Sequence, residues 1–229
     1  MKQRILPLIL ALLLPLSACK SGPAPVSEPA SAPPPAEPSS SALRDIPKLT
    51  SPGFDFYLLN LSWSPEFCQS HPNAVECAAH AGFVLHGLWP QKNDGSYPEN
   101  CSIAPGPSNP AAYKDIYPDP GLLQHEWQTH GTCSGLSADD FFTDARNAFN
   151  SVTAPPTLLG LTSQISMPPE EILGLFTKSN PAIPSSSLAL SCSSNYLTAV
   201  EVCLDKSLHP IECPGIRSCR AKVVRIPPP

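Results

Sequence analysis

Charge is scarce in this sequence of 229 residues: Asp, Glu, Lys and Arg together make up 14%. Positive charge is scarcer still, with 14 Lys and Arg against 19 Asp and Glu, a formal net charge of −5. A protein that grips duplex nucleic acid by neutralising many phosphates needs the opposite balance; one that touches a single phosphate at a time does not. No apolar run reaches the roughly 20 residues that a membrane-spanning helix requires, which rules out a chain of such helices. No Cys-x-x-Cys pair occurs, and no two histidines stand four apart. The commonest structural-zinc and zinc-protease patterns are therefore missing. There is no internal repeat.

Proline, by contrast, is abundant, with 31 residues, and the excess is clustered near the front of the chain. Lys2 and Arg4 precede an apolar stretch from Ile5 to Ala18, the pattern of a secretory signal peptide over residues 1–18. Leu16-Ser17-Ala18-Cys19 resembles the lipobox of bacterial lipoproteins, which implies cleavage before Cys19 and lipidation of that cysteine. Lys20, rather than an aspartate, follows it; by the same resemblance this favours the outer membrane. Two or three acyl chains would hold such a protein firmly to a bilayer. Residues 19–53 then read as the lipidated cysteine and a Pro/Ser/Ala-rich linker, too poor in apolar residues to offset the entropy of ordering.

From residue 54 the composition turns globular. Phe54 to Ser62, Gly82 to His86 and Tyr196 to Leu204 have the apolar and aromatic content of buried strands. Gly121 to His130 reads as a helix between Pro120 and Gly131, and a second helix starts at Ser137 and runs to about Asn150. Pro168-Pro169-Glu170-Glu171 opens a third, since proline is tolerated where the first backbone donors are spare. Helices and strands are interspersed without regular alternation, so the expected fold is α+β, a mostly antiparallel sheet packed with several helices.

Besides Cys19 there are eight cysteines: Cys68, Cys77, Cys101, Cys133, Cys192, Cys203, Cys213 and Cys219. An even count in an exported domain points to four disulfides, and spacing alone leaves their pairing open.

Two short segments concentrate the chemistry: His86-Gly87-Leu88-Trp89-Pro90 and His125-Glu126-Trp127-Gln128-Thr129-His130-Gly131-Thr132-Cys133. On a helix, His125, Glu126, Thr129 and His130 share one arc and Trp127 falls outside it, as expected of a core residue. A carboxylate beside an imidazole tunes and orients it, as proton transfer near neutral pH requires. His71, His80 and His209 stand apart from these segments and read as structural; Gly131 reads as a helix terminator.

Both segments resemble the two active-site motifs of the ribonuclease T2 family, H-G-L-W-P and H-E-W-x-K-H-G-T-C. The similarity extends to Leu61-Ser62-Trp63-Ser64-Pro65, to Asp94-Gly95-Ser96-Tyr97-Pro98 and to Glu201-Val202-Cys203-Leu204-Asp205, spanning about residues 54–226. The resemblance implies a 54–229 catalytic domain that cleaves single-stranded RNA through a 2′,3′-cyclic phosphate, without a metal or other cofactor, acting as a monomer. In the family's roles His130 is the base and His86 the acid, while Glu126 and His125 hold the phosphate. Trp89 and Tyr97 would stack on the base 5′ to the cut, which suits broad specificity. The implied disulfides are 68–77, 101–133, 192–219 and 203–213.

The sequence departs from the family pattern at Thr129, where most members carry lysine, at Gln91, where an aspartate often reads the base, and at Leu122. Loss of a positive donor weakens electrostatic stabilisation of the developing charge, so a slower enzyme, or one with a cation from elsewhere, is expected. Two other classes compete: a catalytically silent binding module on the same fold, and a metal-dependent hydrolase using His and Glu as ligands.

Overall fold

The computed structural model describes residues 53–79 and 82–229. The expected leader, Cys19, the linker up to residue 52 and His80 lie outside the described residues.

Strand β1 (Phe56–Trp63) alternates strictly. Tyr57, Leu59, Leu61 and Trp63 enter the main core, while Phe56, Leu58, Asn60 and Ser62 point to the opposite face. β1 pairs antiparallel with β2 (Phe83–Gln91) on one side and with β5 (Tyr196–Leu204) on the other. β4 (Leu188–Ser193) pairs antiparallel with β5, β6 (Val224–Ile226) meets it in parallel at Tyr196, and β3 (Ile165–Met167) closes the order β2-β1-β5-β6-β3. β2 lies at the end of this order, so Pro90 can sit within it without depriving a neighbour of a ladder hydrogen bond.

Helices α1 (Ser64–Ser70), α2 (Pro120–Thr129), α3 (Ala138–Asn150), α4 (Pro156–Leu159) and α5 (Pro169–Ser179) complete the α+β layout. α3 carries the expected cap: Ser137 Oγ accepts from the Asp140 N–H at 3.1 Å, satisfying one of the spare donors of the first turn. Its inner face, Phe141, Phe142, Ala145 and Ala148, is fully buried in the main core with Ile172 and Phe176 of α5. Burying an aromatic side chain of this kind contributes about 2–3 kcal/mol.

Several boundaries differ from the sequence reading. β2 runs on to Gln91, so the first histidine segment is strand throughout, where only its start was expected to be. α2 stops at Thr129, and His130 is its C-cap with φ −112°. β3, β4, β6, α1 and α4 carried too little pattern to be foreseen: β3 and β6 are only three residues long, and short elements owe their form to their neighbours.

The four disulfides join Cys68–Cys77, Cys101–Cys133, Cys192–Cys219 and Cys203–Cys213, the pairing implied by the family resemblance. Two of them shape the functional face. Cys101–Cys133 draws the segment before it onto the end of α2, where the Asn100 N–H donates to the Thr129 carbonyl at 2.9 Å and the Cys101 N–H to Thr132 Oγ1 at 3.1 Å. Cys203–Cys213 anchors a loop whose Gly215, at φ +70°, abuts Gly95, at φ +83°, in the turn after β2. Both backbones are left-handed, and a Cβ on Gly215 would strike Gly95 and Asn93, so this junction depends on glycine.

Gly131 acts otherwise than expected. It lies in a 3-10 turn (Gly131–Cys133) without positive φ, and a Cβ there would overlap Trp127 and approach Phe141 to 2.9 Å. It is a packing residue rather than a terminator. Gly131→Ala should therefore overpack this corner and cost about 1–3 kcal/mol, read as a lowered midpoint in denaturant titration.

Candidate active site

β1 and β2 pair in register except at one point. Asn60 faces Gly87 and Leu61 faces Leu85, so His86 is the extra residue of a β-bulge. A bulge re-aims its side chain and increases the local twist. Here it lets Leu85 and Leu88 both reach the main core while His86 turns to the other face, alongside Trp89.

α2 brings the second segment to meet it. Asp119 caps the helix by accepting from the Gly121 N–H at 2.8 Å. Glu126, on the inward side, is wholly buried, and its Oε2 accepts from the Trp89 indole N–H at 2.8 Å. Gly87 makes this possible, because a Cβ there would overlap both Glu126 Oε2 and Trp89 Nε1. Glu126 Oε1 lies 3.6 Å from His86 Nε2. The His86 and His130 rings both approach the Trp89 ring, with centroid separations of 5.3 and 5.2 Å. His125 stands edge-on to His130 at 6.2 Å, exposed, with its Nδ1 3.4 Å from Thr129 Oγ1. The two segments thus converge on one cluster of three imidazoles, one carboxyl group and one indole.

The cluster opens into a cavity of about 630 Å³. Trp89, Gln91, Tyr97, His125, Thr129 and His130 line it from one side, and Ser191, Glu201, Ile216 and Arg217 from the other. Tyr97 is about half exposed at its mouth. A second groove runs past the far side of His86, between Phe67, Val75, Glu76 and Leu122. His86, Glu126, His130, His125, Trp89, Tyr97 and Thr129, the residues expected to act on or bind the substrate, each border the cluster or the cavity; Cys19 lies outside the described residues. Trp127, by contrast, is core: it packs on Phe141 and Phe142 and donates to the Ala104 carbonyl at 2.9 Å. His71 stacks on Phe67 and His209 pairs with Asp205, both outside the cluster. To the two histidine segments the structure adds Asn60, Ser62, Ser191 and Glu201 on the sheet floor, and Arg217 on the disulfide-anchored loop; Ser62 and Glu201 fall in stretches already similar to the family, but without a role assigned there.

Burial sets the charge states. Desolvation pushes the Glu126 carboxyl up to about 8, against a smaller opposing effect of the Trp89 hydrogen bond. Desolvation, followed by repulsion from His125 and His86, brings His130 down to about 4. His86 is lowered by the same causes, burial first and His125 second. At neutral pH the free cluster therefore holds a protonated Glu126 and neutral His86 and His130. Glu126 Oε1 and His130 Nδ1 are buried with no hydrogen-bond partner, so both carry unmet hydrogen-bonding capacity. Donor atoms of His125, Glu126 and His130 also lie within 4.8 Å of one another, close enough to hold a metal ion.

The linkage to stability has a definite sign. A carboxyl raised from 4.5 to about 8 on folding contributes stability at low pH that is lost as pH rises through that window. His130, depressed from 6.5 to about 4, contributes stability that is lost as pH falls through its own window. Glu126→Gln should abolish the first effect alone. Denaturant titrations at pH 5 and pH 9 should show the unaltered protein losing up to a few kcal/mol more than the variant.

The family model for ribonuclease T2 matches residues 54–213. Among curated relatives, ribonuclease DdI of Dictyostelium discoideum is 31% identical over 199 residues, covering 76% of this chain and 86% of its own. A ribonuclease of Aeromonas hydrophila is 48% identical over 90 residues, 38% of this chain and 41% of its own. A probable ribonuclease of Haemophilus influenzae is 29% identical over 179 residues, and the match spans 61% of its length. Of solved structures, an RNase-related protein from Calystegia sepium superposes with a TM-score of 0.63 at 24% identity, covering 76% of this chain and 97% of its own. RNase NT in complex with 5′-AMP does so with 0.57 at 20% identity, covering 77% of this chain and 98% of its own; at such identities the likeness is one of fold.

Proposed function

Because the chain belongs to the ribonuclease T2 family, we propose that it is an endoribonuclease that cleaves RNA by transphosphorylation. The observation that carries this reading is the convergence of the His86 and His130 rings on Trp89, with the buried Glu126 carboxyl 3.6 Å from His86 Nε2 and a nucleotide-sized cavity alongside. The nucleophile is the substrate's own 2′-hydroxyl, so the protein need supply only a base, an acid and donors to the phosphorane.

His130, depressed to about 4, is neutral across the physiological range and accepts the 2′-hydroxyl proton. That proton leaves as the O2′–P bond forms and the P–O5′ bond breaks, and His86 gives a proton to the departing O5′. His86 is lowered by burial in the free protein; a phosphodiester anion beside it restores its affinity for a proton, so the acid is charged when substrate binds. A carboxylate beside a phosphorane would repel it. A protonated Glu126, with Oε2 held by Trp89 and Oε1 free, instead donates to a phosphate oxygen. DNA lacks the attacking hydroxyl and is inert.

The aromatic walls Trp89 and Tyr97 favour stacking on the base without strict readout, which suits broad specificity. Thr129 leaves the helix without the family's lysine. Of the described residues that line the cavity, Arg217 alone carries a permanent positive charge, and we assign it the compensating contact with phosphate. The same reading extends to the expected leader, the lipid on Cys19 and the tether behind it: a monomeric enzyme anchored in the bacterial envelope, at the outer membrane or facing the periplasm.

The grouped donor atoms of His125, Glu126 and His130 favour one second reading, metal-assisted hydrolysis. Cleavage of RNA in EDTA with cyclic-phosphate ends supports the first; EDTA-sensitive cleavage supports the second; no cleavage points to a binding module. His86→Ala and His130→Ala should each lower kcat by at least about 10²-fold. Thr129→Lys should raise turnover, by an amount that shrinks as salt is added; no gain would mean that the site does not miss this charge.

A further inference from the structure

A chain of polar side chains crosses the sheet beneath the catalytic cluster. Ser191 Oγ on β4 donates to Glu201 Oε1 on β5 at 2.9 Å, and Asn60 Nδ2 on β1 donates to the same oxygen at 3.2 Å. Ser62 Oγ, two residues along β1, lies 3.5 Å from Asn60 Oδ1, to which it donates, and 3.1 Å from His86 Nδ1. Asn60 and Glu201 are both buried, at directly paired positions of β1 and β5. In an otherwise apolar sheet such groups are retained only when their hydrogen bonds are satisfied.

The directions along this chain can be traced from its Glu201 end. A carboxyl oxygen that already receives the Ser191 hydroxyl takes the NH2 side of the Asn60 amide, not its carbonyl. That fixes the amide with Oδ1 toward Ser62. Serine has one proton to give, and Asn60 Oδ1 can only accept it. With that proton on Asn60 Oδ1, what Ser62 offers His86 is a lone pair, which pairs with hydrogen on Nδ1. The opposite ring nitrogen, Nε2, faces Glu126 Oε1 across 3.6 Å.

We infer that Ser62, held in orientation by Asn60 and Glu201, is a positioning residue that locks His86 in the Nδ1–H tautomer, so that Nε2 alone gains and loses the catalytic proton. In the neutral ring Nε2 is the bare nitrogen; in the imidazolium the Nδ1–H bond to Ser62 persists, and the positive charge is relayed by dipoles toward Glu201. This inference rests on His86 being the proton donor, and it adds the device that decides which nitrogen donates. The charged and titratable groups around the ring are Glu126, His125 and His130 on the α2 side. Glu76 and Asp119 lie in the adjoining groove.

The test reads the tautomer directly. Nitrogen-15 NMR of the imidazole rings in the purified protein, at a pH where His86 is neutral, should show hydrogen on Nδ1 and a bare Nε2. Ser62→Ala should transfer hydrogen to Nε2, lower kcat on the order of tenfold with KM little changed, and move the pH–rate limb that belongs to His86. Ser62→Thr, which keeps the hydroxyl, should retain the Nδ1–H form. Glu201→Gln, which frees the Asn60 amide to turn, should shift the tautomer in the same direction as Ser62→Ala. A native ring with hydrogen on Nε2, or a Ser62→Ala ring whose tautomer and pH profile are unchanged, overturns the proposal. A tautomer that shifts as expected in a protein without ribonuclease activity supports the lock and counts against the functional reading instead, so the two failures are distinct.

Discussion

One hydrogen bond joins the halves of this site: the Trp89 indole N–H to Glu126 Oε2, 2.8 Å across 37 residues of sequence. It fixes α2 against β2, and with that the places of every residue on either. His86 and Trp89 lie on one strand, and Glu126, His125 and Thr129 on one helix with His130 as its cap. The bond demands that Gly87 have no side chain, and the bulge at His86 is what turns the strand's polar edge toward the helix. Removing any of these would leave the histidines in sequence but not in register.

The same contact sets the electrostatics. A carboxyl group that is fully buried and given only one neutral donor has little to hold a negative charge, so it stays protonated. The buried imidazoles of His86 and His130 beside it are likewise uncharged. Three buried titratable groups are thus neutral in the free site, in a chain whose formal charge is −5. An anionic phosphate entering it meets donors rather than a like charge, and supplies the field that makes His86 an acid. Low charge and strong proton chemistry are compatible here because the substrate contributes the missing ion.

The cavity beside the cluster is assembled from parts far apart in the chain, and the disulfides hold them. Cys101–Cys133 sets the segment around Tyr97 and Glu99 on the end of α2, and Cys203–Cys213 sets the Gly215–Arg217 loop against the turn at Gly95. Loops so short of secondary structure owe their position to these covalent links and to two left-handed glycines. The floor is the reverse face of the sheet, where Asn60, Ser191 and Glu201 replace the apolar residues found on the core side.

By itself the sequence determined the local order. Apolar and aromatic content gave β1 and β5, Ser137 with its following acids gave the start of α3, and the two histidine segments announced their chemistry through residue types that have few other reasons to cluster. It gave the cysteine count and, through family likeness, their pairing. Tertiary structure alone decided the rest, because those properties belong to no single segment. The bulge that aims His86 exists only in the pairing of β1 with β2. The protonation of Glu126 follows from burial by distant residues, and Gly131 matters for the room it leaves Trp127. The connection of Asn60, Ser62 and Glu201 shows only once the register of the strands sets them in line. A linear chain specifies which groups are present; free energies of proton binding and orientation depend on the surroundings that folding supplies.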